Sequence, residues 1–440
     1  MSRVGILQTG ALLACVIAIP GAALWIVPRL APMGHIEGAF SGGSSFESST
    51  LRLEPRRIGP EPDGMPLITN VGIVDLDQDG MNDVLVCDSR AGRVLWYRQA
   101  PGGAWEERVL GEDLVAPAHA TALDIDGDDD LDVVVSVLGN LMPDDGVIGR
   151  VVLLENDGDA FKARILLDDV RRVADVQGGD LDGDGDVDLA VAVFGYSHGQ
   201  ILWLENDGSG RFREHELLAS AGTIHVPLAD YDGDGDLDIA AVVSQNDEEV
   251  WGFENLGGGA FEAHRLYYTT NFDIGTAGLV QTDLDGDGDP DLLLPVGDNM
   301  EDIYSYPQPY HGCLWLENKG GWKFETKRIA TFGGTYAAGA GDLDADGDQD
   351  VVLVSMVNEW DRPENASIVW LENDGSEQFR TWQIDESPTH LITVACGDLD
   401  ADGRADIVAG GCYTLGPLAR VGRVTAWMSG SGSKRAEPRD

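Results

Sequence analysis

The stretch DLDGDGDVDLAVAV, residues 180–193, decides how the rest of the chain is read. Aspartate stands at its first, third, fifth and ninth positions, glycine at the sixth, and an unbroken apolar run follows at 189–193. The same string opens at Asp75 (DLDQDGMND), Asp124 (DIDGDDDLD), Asp230 (DYDGDGDLD), Asp283 (DLDGDGDPD), Asp342 (DLDADGDQD) and Asp398 (DLDADGRAD). Successive starts lie 49 to 59 residues apart. A chain of 440 residues would ordinarily divide into two or three domains. Seven copies at one spacing make this body a single repeat array instead.

Each copy follows one grammar. After the aspartates comes an apolar run such as LAVAV (189–193), IAAVV (239–243) or VVLVS (351–355). A variable loop leads to a strand of the type ILWLEN (201–206), CLWLEN (313–318) or IVWLEN (368–373). A Gly/Asn/Asp turn then leads to a Phe-led strand: FREHEL from Phe212, FEAHRL from Phe261, FETKRI from Phe324. Short runs rich in Val, Ile and Trp between such turns read as four strands per unit. The apolar runs do not alternate, so both faces of each small sheet are expected to be covered by neighbours. The fold class is therefore all-β: a seven-bladed propeller of four-stranded blades. The last unit stops after RVTAW (423–427), and LRLEPRRI (51–58) reads as its missing fourth strand, closing the ring. Trp96, Trp203, Trp315 and Trp370 in the third strands are expected in the core between blades.

Composition narrows the function. There are 77 Asp plus Glu against 29 Lys plus Arg, a net charge of −48. A surface of that sign repels nucleic acid and anionic headgroups, so nucleic acid is excluded as a partner. With 43% hydrophobic residues and 11 Trp the chain is not a disordered acidic one. The nine-residue strings hold 34 of the 77 acids. Four carboxylates so close repel one another unless a hard cation neutralises them, and Ca²⁺ takes 6–8 oxygens at about 2.3–2.6 Å. The expected ligands are Asp75, Asp77, Asp79 and Asp83; Asp124, Asp126, Asp128 and Asp132; Asp180, Asp182, Asp184 and Asp188; Asp230, Asp232, Asp234 and Asp238; Asp283, Asp285, Asp287 and Asp291; Asp342, Asp344, Asp346 and Asp350; Asp398, Asp400, Asp402 and Asp406. Position 7 is expected to add its backbone carbonyl. An EF-hand needs Glu at position 12, where these strings carry Val86, Val135, Val191, Ala241, Leu294, Leu353 and Ala409. Up to seven structural Ca²⁺ are expected, each bound on the order of 10⁻⁴–10⁻³ M as in extracellular modules.

The strings DLDGDGDVDLAVAV and LWLENDGSGRF resemble the FG-GAP and VCBS repeat families and the ring of integrin α-subunits over about residues 51–428. Directly after the apolar run, a Phe-Gly pair survives only at Phe194-Gly195, which brings the chain nearer VCBS. The resemblance implies a seven-bladed propeller with a Ca²⁺ loop between strands 1 and 2 of each blade, with ligands at the first, third, fifth and ninth positions. Asp129 in the second string, and Arg404 and Ala405 in the last, depart from the pattern.

Strand alternation puts the strings on one face and the loops joining strands 2–3 and 4–1 on the other. That second face gathers His119, Tyr196, His198, His225, Asp273, Tyr304, Tyr306, Tyr310, Tyr336, Trp360, His390 and Tyr413, the candidate ligand face. Long loops on a rigid scaffold often carry binding, and exposed Tyr and Trp anchor partners. His119, His225 and His390 also read as lining a central funnel where a metal can bind, although their blades are not adjacent. No GxSxG or HExxH is present. The leading reading is a membrane-anchored binding or adhesion module for a carbohydrate or protein ligand. A polysaccharide lyase or hydrolase and a scaffold subunit of an envelope complex are the alternatives.

Residues 4–27 carry no charge and are bracketed by Arg3 and Arg29. The span exceeds the roughly 20 residues needed to cross hydrocarbon, so 1–29 reads as an uncleaved anchor, with a cleaved export signal as the alternative. Either exports the remainder of the chain: a flexible linker at 30–50, the propeller at 51–428 and a polar tail at 429–440. Cys396 and Cys412 sit on neighbouring strands as a candidate disulfide; Cys87 and Cys313 read as buried thiols.

Overall fold

The computed structural model describes residues 45–429 except 62–63, 101, 143, 159, 246, 272–273, 299–306 and 414–419. The anchor span, most of the linker, the tail, Asp273, Tyr304 and Tyr306 lie outside the described residues. Among those described, no helix is long and apolar enough to cross a membrane.

Seven antiparallel sheets follow one another along the chain. Blade 3 shows the pattern, with strands Val173–Gly179, Asp188–Val193, Gln200–Asn206 and Phe212–Leu218 paired in that order. Its second strand is buried at every residue, as are those at Asp83–Asp88, Asp132–Val137, Asp291–Val296, Asp350–Ser355 and Asp406–Gly411. That explains the unbroken apolar runs. The fourth strand, Phe212–Leu218, mixes half-buried and exposed residues because its sheet edge faces solvent.

The core is divided into seven clusters, each between successive blades. One joins Trp203 of blade 3 to Val226 and Phe253 of blade 4; others place Trp96, Trp315 and Trp370 against the next blade round the ring. All four tryptophans are at most 6% exposed, as expected. The leading Phe of the next blade closes over this Trp: Phe261 lies 5.7 Å from Trp203 and Phe379 6.1 Å from Trp315. A seventh cluster unites Leu399, Val408 and Val424 with Ile68, Val84 and Tyr97 and closes the ring. Leu53–Ile58 pairs antiparallel with Val424–Ser429, Ile58 opposite Val424, so the start of the body completes the last blade.

The linker and the cysteines depart from expectation. Residues 46–49 are docked, not loose. Gln383 on the outer strand of blade 6 exchanges backbone hydrogen bonds with Glu47 and Ser49, and the Phe46 ring meets Phe332 at 5.9 Å. Cys396 and Cys412 are free, like Cys87 and Cys313, because Cys396 pairs in register with Ile407 while Cys412 bridges to Leu67. In blade 4, Pro227 splits the inner strand into Thr223–His225 and Leu228–Ala229, since proline offers no N–H to the ladder.

A second tie runs round the ring. The Asn ending the LEN strand donates its side-chain amide to the preceding blade: Asn255 to Leu181, Asn318 to Tyr231, Asn373 to Leu284, with Gln99 to Leu399 in the same role. Asn318→Ala would strand the buried carbonyls of Tyr231 and Pro290. It should cost about 1–3 kcal/mol in urea unfolding, whereas substitution of exposed Asp207 should cost under about 0.5 kcal/mol.

Candidate metal centres and the opposite face

Each aspartate string folds onto its own backbone. The first carboxylate spans the turn: Asp180 Oδ1 accepts the Gly183 N–H at 2.8 Å and Oδ2 accepts Gly185 N–H at 3.1 Å. Asp182 accepts the N–H of Asp184, and Asp184 that of Asp186. Such wrapping needs two left-handed residues. Position 6 was legible as glycine, with Asp129 (φ 74°) standing in once. Position 4 was missed, although it is left-handed at Gln78, Gly127, Gly183, Gly233, Gly286, Ala345 and Ala401. Glycine at four of those positions was the available signal.

The ninth aspartate is a different kind of group. All seven are at most 1% exposed. Asp188 Oδ1 accepts the Asn206 N–H at 2.7 Å, and Oδ2 accepts the Leu181 N–H at 3.2 Å. The same clamp recurs at Asp132, Asp238, Asp291, Asp350 and Asp406. It thus joins the string to strand 3. Burial, opposed by these hydrogen bonds, pushes Asp132, Asp188, Asp291 and Asp406 up to about 6, and Asp238 and Asp350 up to about 7.

Ligand-type oxygens converge in these strings. One carboxylate oxygen from each of Asp180, Asp182 and Asp184 lies within 4.8 Å of the others, as do those of Asp230, Asp232 and Asp234. Asp75, Asp77 and Asp83 form the same kind of group, as do Asp124, Asp126 and Asp132, and Asp283, Asp285 and Asp291. An all-oxygen donor set of this density fits a hard divalent cation. Blade 1 differs: Arg98, where blades 2 to 6 carry Glu and blade 7 carries Met428, ion-pairs with Asp77 and with Asp79 at 2.6 Å. That guanidinium offsets part of the charge of the string's four carboxylates. The sequence YRQ in place of LEN was the sign of it.

The opposite face is less aromatic than expected. Tyr196 is 43% exposed and His198 is exposed beside it. Trp360 and His390 are buried, their rings 5.5 Å apart, with Tyr413 at 5.8 Å from His390. Those three pack on one another. Tyr310 is half-buried against His311 at 5.4 Å, and burial raises the half-buried Tyr336 phenol above its ordinary range. Instead, aliphatic side chains are displayed: Val115, Met142, Val147 and Ile148 are exposed, and Val115, Val147 and Ile148 line a depression of about 300 Å³ between blades 1 and 2. His119 and His225 do come together, but with Asp175 and not with His390.

A family profile for the FG-GAP-like repeat matches residues 75–135, 180–241, 230–294 and 342–409. The chain belongs to the FG-GAP-like repeat family. No curated protein matches it. Among solved structures, BBS1N crystallised in complex with ARL6DN and soaked with lead is similar at TM-score 0.51 and 10% identity, covering 89% of this chain and 100% of that one. An α-L-arabinanase of Penicillium chrysogenum complexed with arabinobiose gives TM-score 0.44 and 10% identity, covering 72% and 94%. At such identity the first likeness shows the propeller fold alone.

The buried ninth aspartates set a pH dependence. A carboxyl held above its ordinary value binds protons in the folded state that the unfolded chain releases, so its contribution to stability is lost as pH rises through the folded value. In chelator, the melting temperature should therefore rise as pH falls from about 7.5 to about 5. In millimolar Ca²⁺ that slope should flatten, because a bound ion favours the charged form. Thermal melts at both conditions check it.

Proposed function

We propose that this propeller is a calcium-stabilised binding module, exported and held at the cell envelope by its apolar N-terminal segment. It takes a carbohydrate or protein ligand on the face opposite the aspartate strings. The observation that carries the reading is the repeated convergence of carboxylate oxygens, in the strings of blades 1 to 5, in a chain of net charge −48. Seven Ca²⁺ would bring that charge to −34. First, third, fifth and ninth aspartates supply carboxylate oxygen, and position 7 its carbonyl. The string of blade 1, paired with Arg98, is the weakest of the seven sites. The low affinity expected of such loops suits an exterior rich in calcium and not a cytosol.

Division of labour between the faces supports the binding role. The string face is occupied by the metal loops; the other carries the variable loops, exposed Tyr196 and the aliphatic depression of blades 1 and 2. Apolar and aromatic side chains at such a place bury against a sugar face or a protein surface.

Calcium should raise the melting temperature of the purified full-length protein, and EGTA should lower it. Glycan and protein arrays probed in Ca²⁺ should give binding that EGTA abolishes and that Tyr196→Ala weakens about tenfold. Identical melts with and without chelator would overturn the calcium role. Release of unsaturated oligosaccharides from a bound polysaccharide would replace the binding module with a lyase.

A further inference from the structure

The inner strands of six blades carry a bulge after their first residue, and the side chain just past it is set at an equivalent place each time: Asn70, His119, Asp175, His225, Ala337 and Thr393. Here a side-chain oxygen can cap the inner strand of the next blade. Asn70 accepts the Ala120 N–H, Thr393 the Val71 N–H and Asp175 the Val226 N–H at 3.0 Å. Asn and Thr perform this cap without charge, so the cap does not require the carboxylate of Asp175.

That carboxylate is 1% exposed and rigidly held. Oδ1 also accepts the Val176 N–H at 2.8 Å and the Gln177 amide at 3.0 Å. The ionisable groups that act on it are two imidazoles. His119 Nδ1 lies 3.0 Å from Oδ1, from the preceding blade, and His225 Nδ1 lies 3.7 Å from Oδ2, from the next blade. The rings stand nearly perpendicular, at 80°, with centroids 6.1 Å apart. Two donors on one ion at about 2.1 Å each sit about 3.0–3.4 Å apart for angles of 90–110°, which the observed separations bracket. Deprotonated carboxylate and neutral imidazole are the states that ligate metal.

We propose that His119, Asp175 and His225, contributed by three successive blades, form a divalent transition-metal site on the channel side of the ring, separate from the aspartate strings. Two nitrogens and one oxygen suit Zn²⁺, Co²⁺ or Cu²⁺ and disfavour Ca²⁺, which takes oxygen. Three protein ligands leave a position for water or for an oxygen of a bound molecule. Gln177 orients the carboxylate as an outer partner. The site stands whether or not the strings hold calcium.

The test is a titration of the full-length protein with Co²⁺ in millimolar Ca²⁺, which keeps the oxygen sites filled. One equivalent should bind with visible d–d absorption. His119→Gln and His225→Gln should each weaken it by more than about 100-fold, and Gln177→Ala by about 10–100-fold. His198→Gln, at the exposed loop, should leave it unchanged. No d–d bands in the wild type, binding that survives both histidine substitutions, or binding lost in His198→Gln would overturn the site. Should the variants fail to fold, Cu²⁺ electron paramagnetic resonance of the wild type decides: couplings from two imidazole nitrogens support the site, and oxygen-only ligation refutes it. Calcium-dependent melting is unaffected by either result.

Discussion

A buried carboxylate at the ninth position of each string holds the blade together. It is the only aspartate of its string fully removed from water, and it spends its oxygens on two backbone N–H groups: one at the start of the string, one at the end of strand 3. A charge or a proton placed there costs free energy unless those donors are present. The donors in turn fix where the Asn of LEN lies, and that Asn reaches the neighbouring blade. Loop shape, sheet register and blade-to-blade spacing thus hang on one clamp, repeated round the ring.

The rest of the string stays near solvent and works by geometry. Two left-handed residues curl the backbone until its own N–H groups face the first carboxylate, and the remaining oxygens point together. The protein answers the resulting repulsion locally in one blade, where Arg98 lies across Asp77 and Asp79. Blades 2 to 6 place Glu at this point and contribute no such cation; Glu205 pairs with His215 and buried Glu317 with Lys327, both on strand 4. The acidic third strands add to the repulsion within the strings, as Glu155 does on Asp126 and Glu317 on Asp285.

Repetition also makes exceptions readable. Where six blades offer the same post-bulge position on the inner strand, a charged or imidazole side chain there stands out against the Asn, Ala and Thr of other blades. On the opposite face the variable loops show a similar contrast: that of blade 6 folds inward, burying Trp360 against His390, while that of blade 2 displays aliphatic side chains. Aromatic composition alone misleads there, because a ring in a long loop can satisfy itself against its own neighbours.

Periodicity is local information, and most of the architecture was legible from it: seven strings, four strands each, unbroken runs for strands packed on both faces, and LRLEPRRI as the missing strand of the last blade. The aspartate sets were legible too, since their spacing within nine residues leaves few ways for the oxygens not to meet. Three things were decided only by the closed ring. Arg98 reaches its string's Asp79 and Asp77 across 19 and 21 residues of chain. Residues 46–49 find a partner strand over 300 residues away. Asp175, one of many aspartates in the sequence, is singled out only when bulged strands from three blades bring His119 and His225 to its two oxygens. Sequence spacing determined what repeats, because strands and turns are set by nearest neighbours; tertiary structure decided which non-repeating side chains meet, because those contacts exist only after the blades pack in order around one axis.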